Sequence, residues 1–213
     1  MKKLIVKMSM SVDGFVAGPK DEIDWVFATE SKDAVKWEVD VLWNASYHLM
    51  GSRTYQDMAA WWPTSKDVCA PPMNEIPKAV FSRRGVKKPN KALTSIAVKN
   101  ALAANVRKQR AKASPRILDS WLHPHAATGN LKNEIKRLKR GSGKPLLAHG
   151  GASFVRSLVK TGLVDEYQML VHPVLLGKGL PIFTELPKRL YLELIESIPF
   201  KSGAVAQVYR PKK

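Results

Sequence analysis

An α/β domain is expected, with a mostly parallel twisted sheet, helices on both faces and an antiparallel C-terminal edge. Three observations carry this. Short apolar, β-branched runs alternate with helical patterning for most of the chain. The stretch from Lys144, KPLLAHGGASFVRSLVKTGLVDEYQMLVHPVLLGKGLPIF, reads as strand, glycine pair, amphipathic helix, acidic turn, strand and glycine-rich exit. The chain then ends on two strand-like runs, 191–197 and 204–209, joined through Pro199 and Gly203 as an antiparallel pair. The 213 residues suit one domain, 1–213, with a basic insertion at about 85–115.

Residues 3–10 (KLIVKMSM) suit a first strand, and SVDGFVAG follows with Asp-Gly and Gly-Pro turn chemistry. A helix is expected over 33–45, where Val35, Val39 and Leu42 share a face that Trp43 joins. Residues 47–50 form a second strand, and 51–58 a turn passing into a helix that ends before Trp61, Trp62 and Pro63. The adjacent prolines in 66–76 make that stretch a loop, and 78–82 (KAVFS) a third strand. Residues 92–112 are expected to be partly helical, and 116–118 a short strand. Leu131, Ile135 and Leu138 mark a helix closed by Gly141 and Gly143. Residues 145–148 form a buried strand, and Phe154, Val155, Leu158 and Val159 one helical face. Asp165 and Glu166 are expected to cap the turn before their strand.

Composition narrows the function classes. No apolar run approaches the ~18 residues that span a membrane. The start, MKKLIVKMSM, places two lysines before an apolar stretch, but Lys7 interrupts it and no small-residue cleavage site follows, so a cytoplasmic location is expected. The lone Cys69 excludes an intramolecular disulfide. The net charge is +17, and the segment 83–116 holds Arg83, Arg84, Lys87, Lys88, Lys91, Lys99, Arg107, Lys108, Arg110, Lys112 and Arg116 with no acidic residue. Such a field attracts nucleic acid, anionic membrane or phosphorylated small molecules, and a solvated insertion is the plainer reading.

Three loops after strands converge where open α/β sheets bind ligands, at the carboxyl ends of the strands. They are 11–18 (SVDGFVAG), 50–55 (MGSRTY) and 149–154 (HGGASF). Glycine at a helix start lets backbone approach an anion and points free N–H groups at it, and Thr54 and Arg53 add donors. Neither glycine loop is a Walker-type phosphate loop, and the first strand does not lead into three spaced glycines. His149 and His172 read as satisfied structural histidines at strand ends, and His123 and His125 as a metal-type spacing without a companion. Trp25, Trp61 and Trp62 are candidates for packing or for the wall of a flat heterocycle pocket. Gly177 and Gly179 are expected to let the chain leave the sheet edge beside the substrate.

The motifs MSMSVDGFVAG, IDW, YHLMGSRTYQDM and the segment 144–183 resemble the dihydrofolate reductase-like family. More narrowly, they are similar to proteins related to the C-terminal reductase domain of bacterial bifunctional riboflavin-biosynthesis enzymes; about 85–115 is not covered. The resemblance implies NADPH as cofactor and hydride transfer to a pterin-like, ribosylamino-pyrimidine or other small heterocyclic or carbonyl substrate. It implies that Gly51, Ser52, Arg53 and Thr54 bind cofactor phosphates, with Ser52 standing where many relatives have arginine. Ser82 and Arg83 would face the adenosine and its 2′-phosphate, and Gly150, Gly151, Ala152, Ser153 and Phe154 the pyrophosphate. Val12, Asp13, Gly14, Val16 and Ala17 would lie along the nicotinamide and substrate. Asp13 is the first candidate for the catalytic proton donor, although Asp before Gly commonly shapes a turn; Asp33, Glu38 and Asp40 follow on the next helix. A homodimer is implied as well. The alternative function is a non-enzymatic binding module that uses the basic insertion on nucleic acid.

Overall fold

The computed structural model describes residues 1–90, 94, 95, 98, 99, 111–184 and 186–212. Its eight-stranded sheet runs β5-β4-β3-β6-β1-β7-β10-β9. Here β1 is Leu4–Ser11, β3 Tyr47–Gly51, β4 Lys78–Phe81, β5 His125–Ala127, β6 Leu146–Ala148 and β7 Glu166–His172. These six run parallel. The last two, β9 (Leu192–Pro199) and β10 (Val205–Pro211), are antiparallel, and β10 lies between β7 and the edge strand β9. The expected sheet, with its antiparallel edge, is the one observed.

Alternation along β1 distributes the core between two faces. Leu4, Val6 and Met8 meet α6 (Leu131–Leu138) and α7 (Ala152–Lys160), whose Ile135, Val155 and Leu158 are fully buried. On the opposite face Ile5 joins α2 (Lys32–Trp43), α3 (Ser52–Trp61), α4 (Ala70–Glu75) and α5 (Pro115–Leu122) through Leu42, Tyr55, Met73 and Trp121. Asp165 ties β1 to the turn before β7, because its carboxylate accepts Leu4 N–H at 2.6 Å and Lys139 Nζ–H at 2.5 Å.

Several local expectations are corrected. Residues 15–17 are strand β2 (Phe15–Ala17), which pairs with β8 (Leu180–Pro181) in a second small sheet. The double proline at 71–72 starts α4 instead of prolonging a loop, since first-turn residues need no N–H donor. Residues 116–118 belong to α5, where the Ser114 hydroxyl accepts Ile117 N–H and Pro115 opens the first turn. Trp43 points outward from α2, while Ala34 and Leu42 are its buried residues. Helix α3 runs through Trp61 instead of stopping before it. Glu166 is a buried strand residue that meets Arg210 at 3.3 Å, so Asp165 alone holds the turn.

Most of the expected helical stretch at 92–112, with Arg107, Lys108 and Arg110, lies outside the described residues. The approach to it is fastened to α3. The buried Gln56 amide donates to Lys87 O at 2.9 Å and accepts Asn90 N–H at 2.9 Å, and Asp57 accepts Ser95 N–H at 2.7 Å. Among the described residues no helix is long and apolar enough to cross a membrane.

Candidate active site

Adjacent parallel strands β3 and β6 release their chains into α3 and α7 at the same end of the sheet. Gly51 N–H donates to Gly150 O at 3.3 Å, which draws the two turns together. Neither helix start carries a side-chain cap, so the first-turn N–H groups of both are left without one. The turns are too close for side chains at the glycines. A Cβ on Gly151 would stand 2.8 Å from Thr54 Oγ1, one on Gly150 3.2 Å from Thr54 Cγ2, and one on Gly51 3.2 Å from Phe154 Cβ. Gly150 also has φ +134°, a conformation that favours glycine, and the Gly150–Gly151 peptide is cis.

Ser52, Arg53 and Ser153 are exposed on this rim, and Ala152 is buried beneath it. Phe154 contributes only its backbone to the turn. Its ring is buried and stacks on Phe81 at 4.9 Å, which fixes the roll of α7 on the sheet. Arg53 reaches Asp21 at 2.5 Å and so links α3 to the chain leaving β2. Beyond β4, the Ser82 hydroxyl donates to Gly85 O at 2.7 Å and shapes a turn that leaves Arg83 and Arg84 exposed.

The first loop is fastened to a different neighbour. Val12 N–H donates to Val174 O at 3.0 Å, and Ile182 N–H to Gly14 O at 3.2 Å. Gly179 lies so near β2 that a Cβ there would meet Ala17 O at 2.3 Å, while Val16 is half-buried and Ala17 buried. The Asp13 carboxylate accepts the Ser11 hydroxyl at 2.6 Å, Leu176 N–H at 3.1 Å and Gly177 N–H at 2.7 Å. The Ser11 hydrogen bond first, and the Leu176 and Gly177 amides with it, hold the carboxyl below its ordinary range. Asp13 is therefore a clamp between two loops, in a state unsuited to donating a proton at neutral pH.

A buried polar cluster missed by the pattern reading lies on the α2 side of the sheet. Lys7 is buried in mid-strand and ion-paired to Glu38 of α2. Its strand neighbours are Gln168 on β7 and, one residue beyond Ala148, His149. The His149 ring lies 4.8 Å from that of His48, tilted 57° to it, and His48 Nε2 faces Pro72 O at 3.2 Å. His172 meets Thr29 Oγ1 at 2.7 Å and Trp25 edge-on at 5.4 Å. Burial pushes His48 and His172 down to about 4 and His149 well below its usual value, with the Lys7 charge adding to the effect on His149 and His172. The two strand-end histidines are not fully satisfied, because His149 Nε2 and His172 Nε2 are buried without a hydrogen-bond partner among the described residues. Glu30 is exposed, within the field of Lys7 and Glu38. Partial loss of its solvent shell, with the Glu38 and Asp67 carboxylates nearby, pushes its carboxyl up to about 7 against the pull of Lys7. One signal for this cluster was present in the sequence: a lysine in the middle of an apolar strand.

Of the other candidates, Asp33 accepts Lys201 N–H at 3.1 Å and Asp40 pairs with Lys36 on the exposed face of α2. His123 bonds Asp119 at 2.9 Å and His125 meets Arg137 at 2.5 Å, so each histidine has its own partner.

The mostly parallel sheet with its antiparallel edge, and the two uncapped helix starts at one end of it, belong to a dihydrofolate reductase-like α/β fold. The profile of the RibD C-terminal domain matches residues 2–206, and the chain belongs to that family. It is 40% identical over 195 residues to the uncharacterized protein YwjB of Bacillus subtilis (strain 168), covering 91% of this chain and 89% of the relative. Among solved structures it is similar to a pyrimidine reductase-like protein of Corynebacterium diphtheriae, with TM-score 0.64, 12% identity, and coverage of 100% and 92% of the two chains. The dihydrofolate reductase of Enterococcus faecalis, complexed with NADP(H), superimposes with TM-score 0.57 at 10% identity, over 99% and 97% of the two chains.

Proposed function

We propose that this protein is an NADPH-dependent reductase that transfers a hydride to a pterin-like, ribosylamino-pyrimidine or other small heterocyclic or carbonyl substrate. The observation that carries this is the joint opening of α3 and α7 across Gly51, Gly150 and Gly151. Two uncapped helix starts side by side suit the paired phosphates of a dinucleotide, with Thr54 Oγ1 and Ser52 as further donors. Exposed Arg83 and Arg84 at the end of β4 suit a 2′-phosphate, and Arg53 contributes while sharing its guanidinium with Asp21.

Bound in this cleft, the reduced nicotinamide supplies the hydride. The chain aligns the two partners and excludes water. Val12, Gly14, Val16 and Ala17 border the reacting end, and the Asp13 clamp holds that border against 176–177. The Lys7–Glu38 pair and the neutral imidazoles of His149 and His172 give the substrate fixed polar partners.

Titration with NADPH, read by nicotinamide fluorescence and followed by an NADPH-oxidation screen across pterins and small carbonyls, tests the reading. Saturable binding with turnover of at least one acceptor class is expected; no binding would sink it. The partner proposed at the open edge strand β9, where Leu194 and Ile195 are exposed, is a second copy of the chain, read by sedimentation. Exposed Arg83, Arg84, Lys87 and Lys88 favour the second reading, a nucleic-acid-binding module, which predicts salt-sensitive retention on RNA or DNA.

A further inference from the structure

Arg53 is the second residue of α3, next to Thr54, whose hydroxyl reaches across to Gly151 where the two helix starts meet. One contact holds its guanidinium: Nη2 donates to Asp21 Oδ2 at 2.5 Å. Asp21 lies where the chain leaves β2, in a turn closed by Gly18 N–H on Glu22 O at 2.9 Å and by its own N–H on Gly18 O at 3.1 Å. It has φ +62°, the one positive φ at a non-glycine residue among the described residues. Aspartate and asparagine tolerate that conformation better than most side chains do. The turn thus delivers a carboxylate to the arginine on the first turn of α3. The neighbouring carboxylates have other partners. Glu22 accepts Lys20 N–H at 2.6 Å, and Asp57, one turn further along α3, accepts Ser95 N–H at 2.7 Å.

The Arg53–Asp21 pair faces solvent, with 71% and 43% of the two side chains exposed. An exposed pair of this kind is held weakly. A phosphate on the same guanidinium accepts charge-assisted hydrogen bonds through more than one N–H. A single positive charge does not compensate a carboxylate and a phosphate together, so the two anions compete for Arg53.

We propose that Asp21 is a positioning residue for the cofactor: it holds Arg53 in the empty protein and yields it to a cofactor phosphate. The proposal rests on the reductase reading and deepens it. Release of Arg53 frees the turn 18–22, which begins one residue after β2 ends at Ala17. Filling of the phosphate site is thereby felt at the border of the reacting end. By linkage, the preference of Asp21 for Arg53 weakens cofactor binding by the same factor that the cofactor weakens the pair.

The test uses the full chain. Asp21→Asn removes the charge and keeps a side chain suited to the positive φ. Isothermal titration with NADPH is expected to show binding about two- to fivefold tighter in Asp21→Asn, the range that an exposed pair is worth. The gain should vanish in an Arg53→Met background, which has no guanidinium to release. Asp24→Asn removes an exposed carboxylate three residues on and should leave the affinity unchanged. Unchanged affinity in Asp21→Asn overturns the proposal. So does a gain that survives Arg53→Met or is matched by Asp24→Asn, since either shows plain charge repulsion. Arginine ¹⁵N spectra give a reading independent of affinity, in which the Arg53 Nε signal is the one lost in Arg53→Met. That signal should differ between the empty unaltered chain and empty Asp21→Asn, and coincide in the two once NADPH is saturating. Signals that stay apart with NADPH bound show that Arg53 keeps Asp21, and also overturn the proposal. NADPH binding without these effects defeats this proposal alone; no NADPH binding in the unaltered chain defeats the reductase reading as well.

Discussion

Thr54, on the first turn of α3, leaves no room for a side chain at Gly151: a Cβ there would stand 2.8 Å from its hydroxyl. Two turns 97 residues apart in sequence are thereby made one surface. Gly151 has φ −78°, so alanine is compatible with its backbone, and the contact alone carries the penalty. Gly151→Ala is expected to weaken NADPH binding roughly tenfold, about 1.4 kcal/mol. Thr54→Ala should also weaken binding, by loss of the hydroxyl. The double variant should be no weaker than Thr54→Ala alone, because the clash is gone. Isothermal titration of the four proteins reads this, and simple additivity would contradict it.

Asp13 separates a clamp from an acid. Asp13→Asn keeps the shape but loses the charge that holds Leu176 and Gly177 N–H. The expected result is a lower melting temperature and a raised substrate KM, with no movement of the acid limb of kcat. A shifted acid limb with unchanged stability would return Asp13 to the role of donor.

How much was legible follows from which residues act locally. The glycine pair at 150–151 and Gly51 are visible because a helix start close to a neighbouring turn demands glycine in the chain itself. The alternation of β1 and the faces of α6 and α7 were legible for the same local reason. Lys7 was visible only as a break in an apolar run, because its meaning depends on Glu38, 31 residues away. Strand β2 was hidden in turn chemistry, since its pairing partner β8 lies more than 160 residues on. Helices α4 and α5 were obscured by prolines, which mark a helix start as readily as a loop.

Acid should destabilise the fold in a defined window. The folded values of His48 and His172 are about 4, against 6.5 for the free side chain. Between those values the unfolded chain binds more protons, so stability falls as pH drops through the window. At pH 5 each histidine is expected to cost about 2 kcal/mol relative to pH 7. Glu30 is shifted upward, so the folded chain holds its proton more firmly and it opposes this loss. Urea midpoints at pH 7 and pH 5 should therefore differ less in His48→Gln and more in Glu30→Gln. Identical pH dependence in all three proteins would contradict the assignment.

Lys78 is 2% exposed, sits 4.6 Å over the Trp121 ring and donates to Asn74 O at 2.7 Å, with no carboxylate partner among the described residues. Burial pushes its amine down to about 8, so the charged form is disfavoured in the fold at pH 7 and stability should rise as pH passes above 8. Asn74 O keeps the Ser120 hydroxyl as a second donor at 3.1 Å. Lys78→Met is accordingly expected to leave the melting temperature at pH 7 unchanged or higher. A drop of several degrees would show that the cation–π contact outweighs the buried charge.

The central claim is that the paired turns of β3–α3 and β6–α7 hold a dinucleotide with a 2′-phosphate. Its most direct measurement is the melting temperature of the full chain with NADPH and with NADH at equal concentration. At about 100 times the dissociation constant, NADPH should add ~2.7 kcal/mol, a rise of roughly 5–10 °C for a chain of this size, and NADH clearly less. No shift with either cofactor would contradict the account.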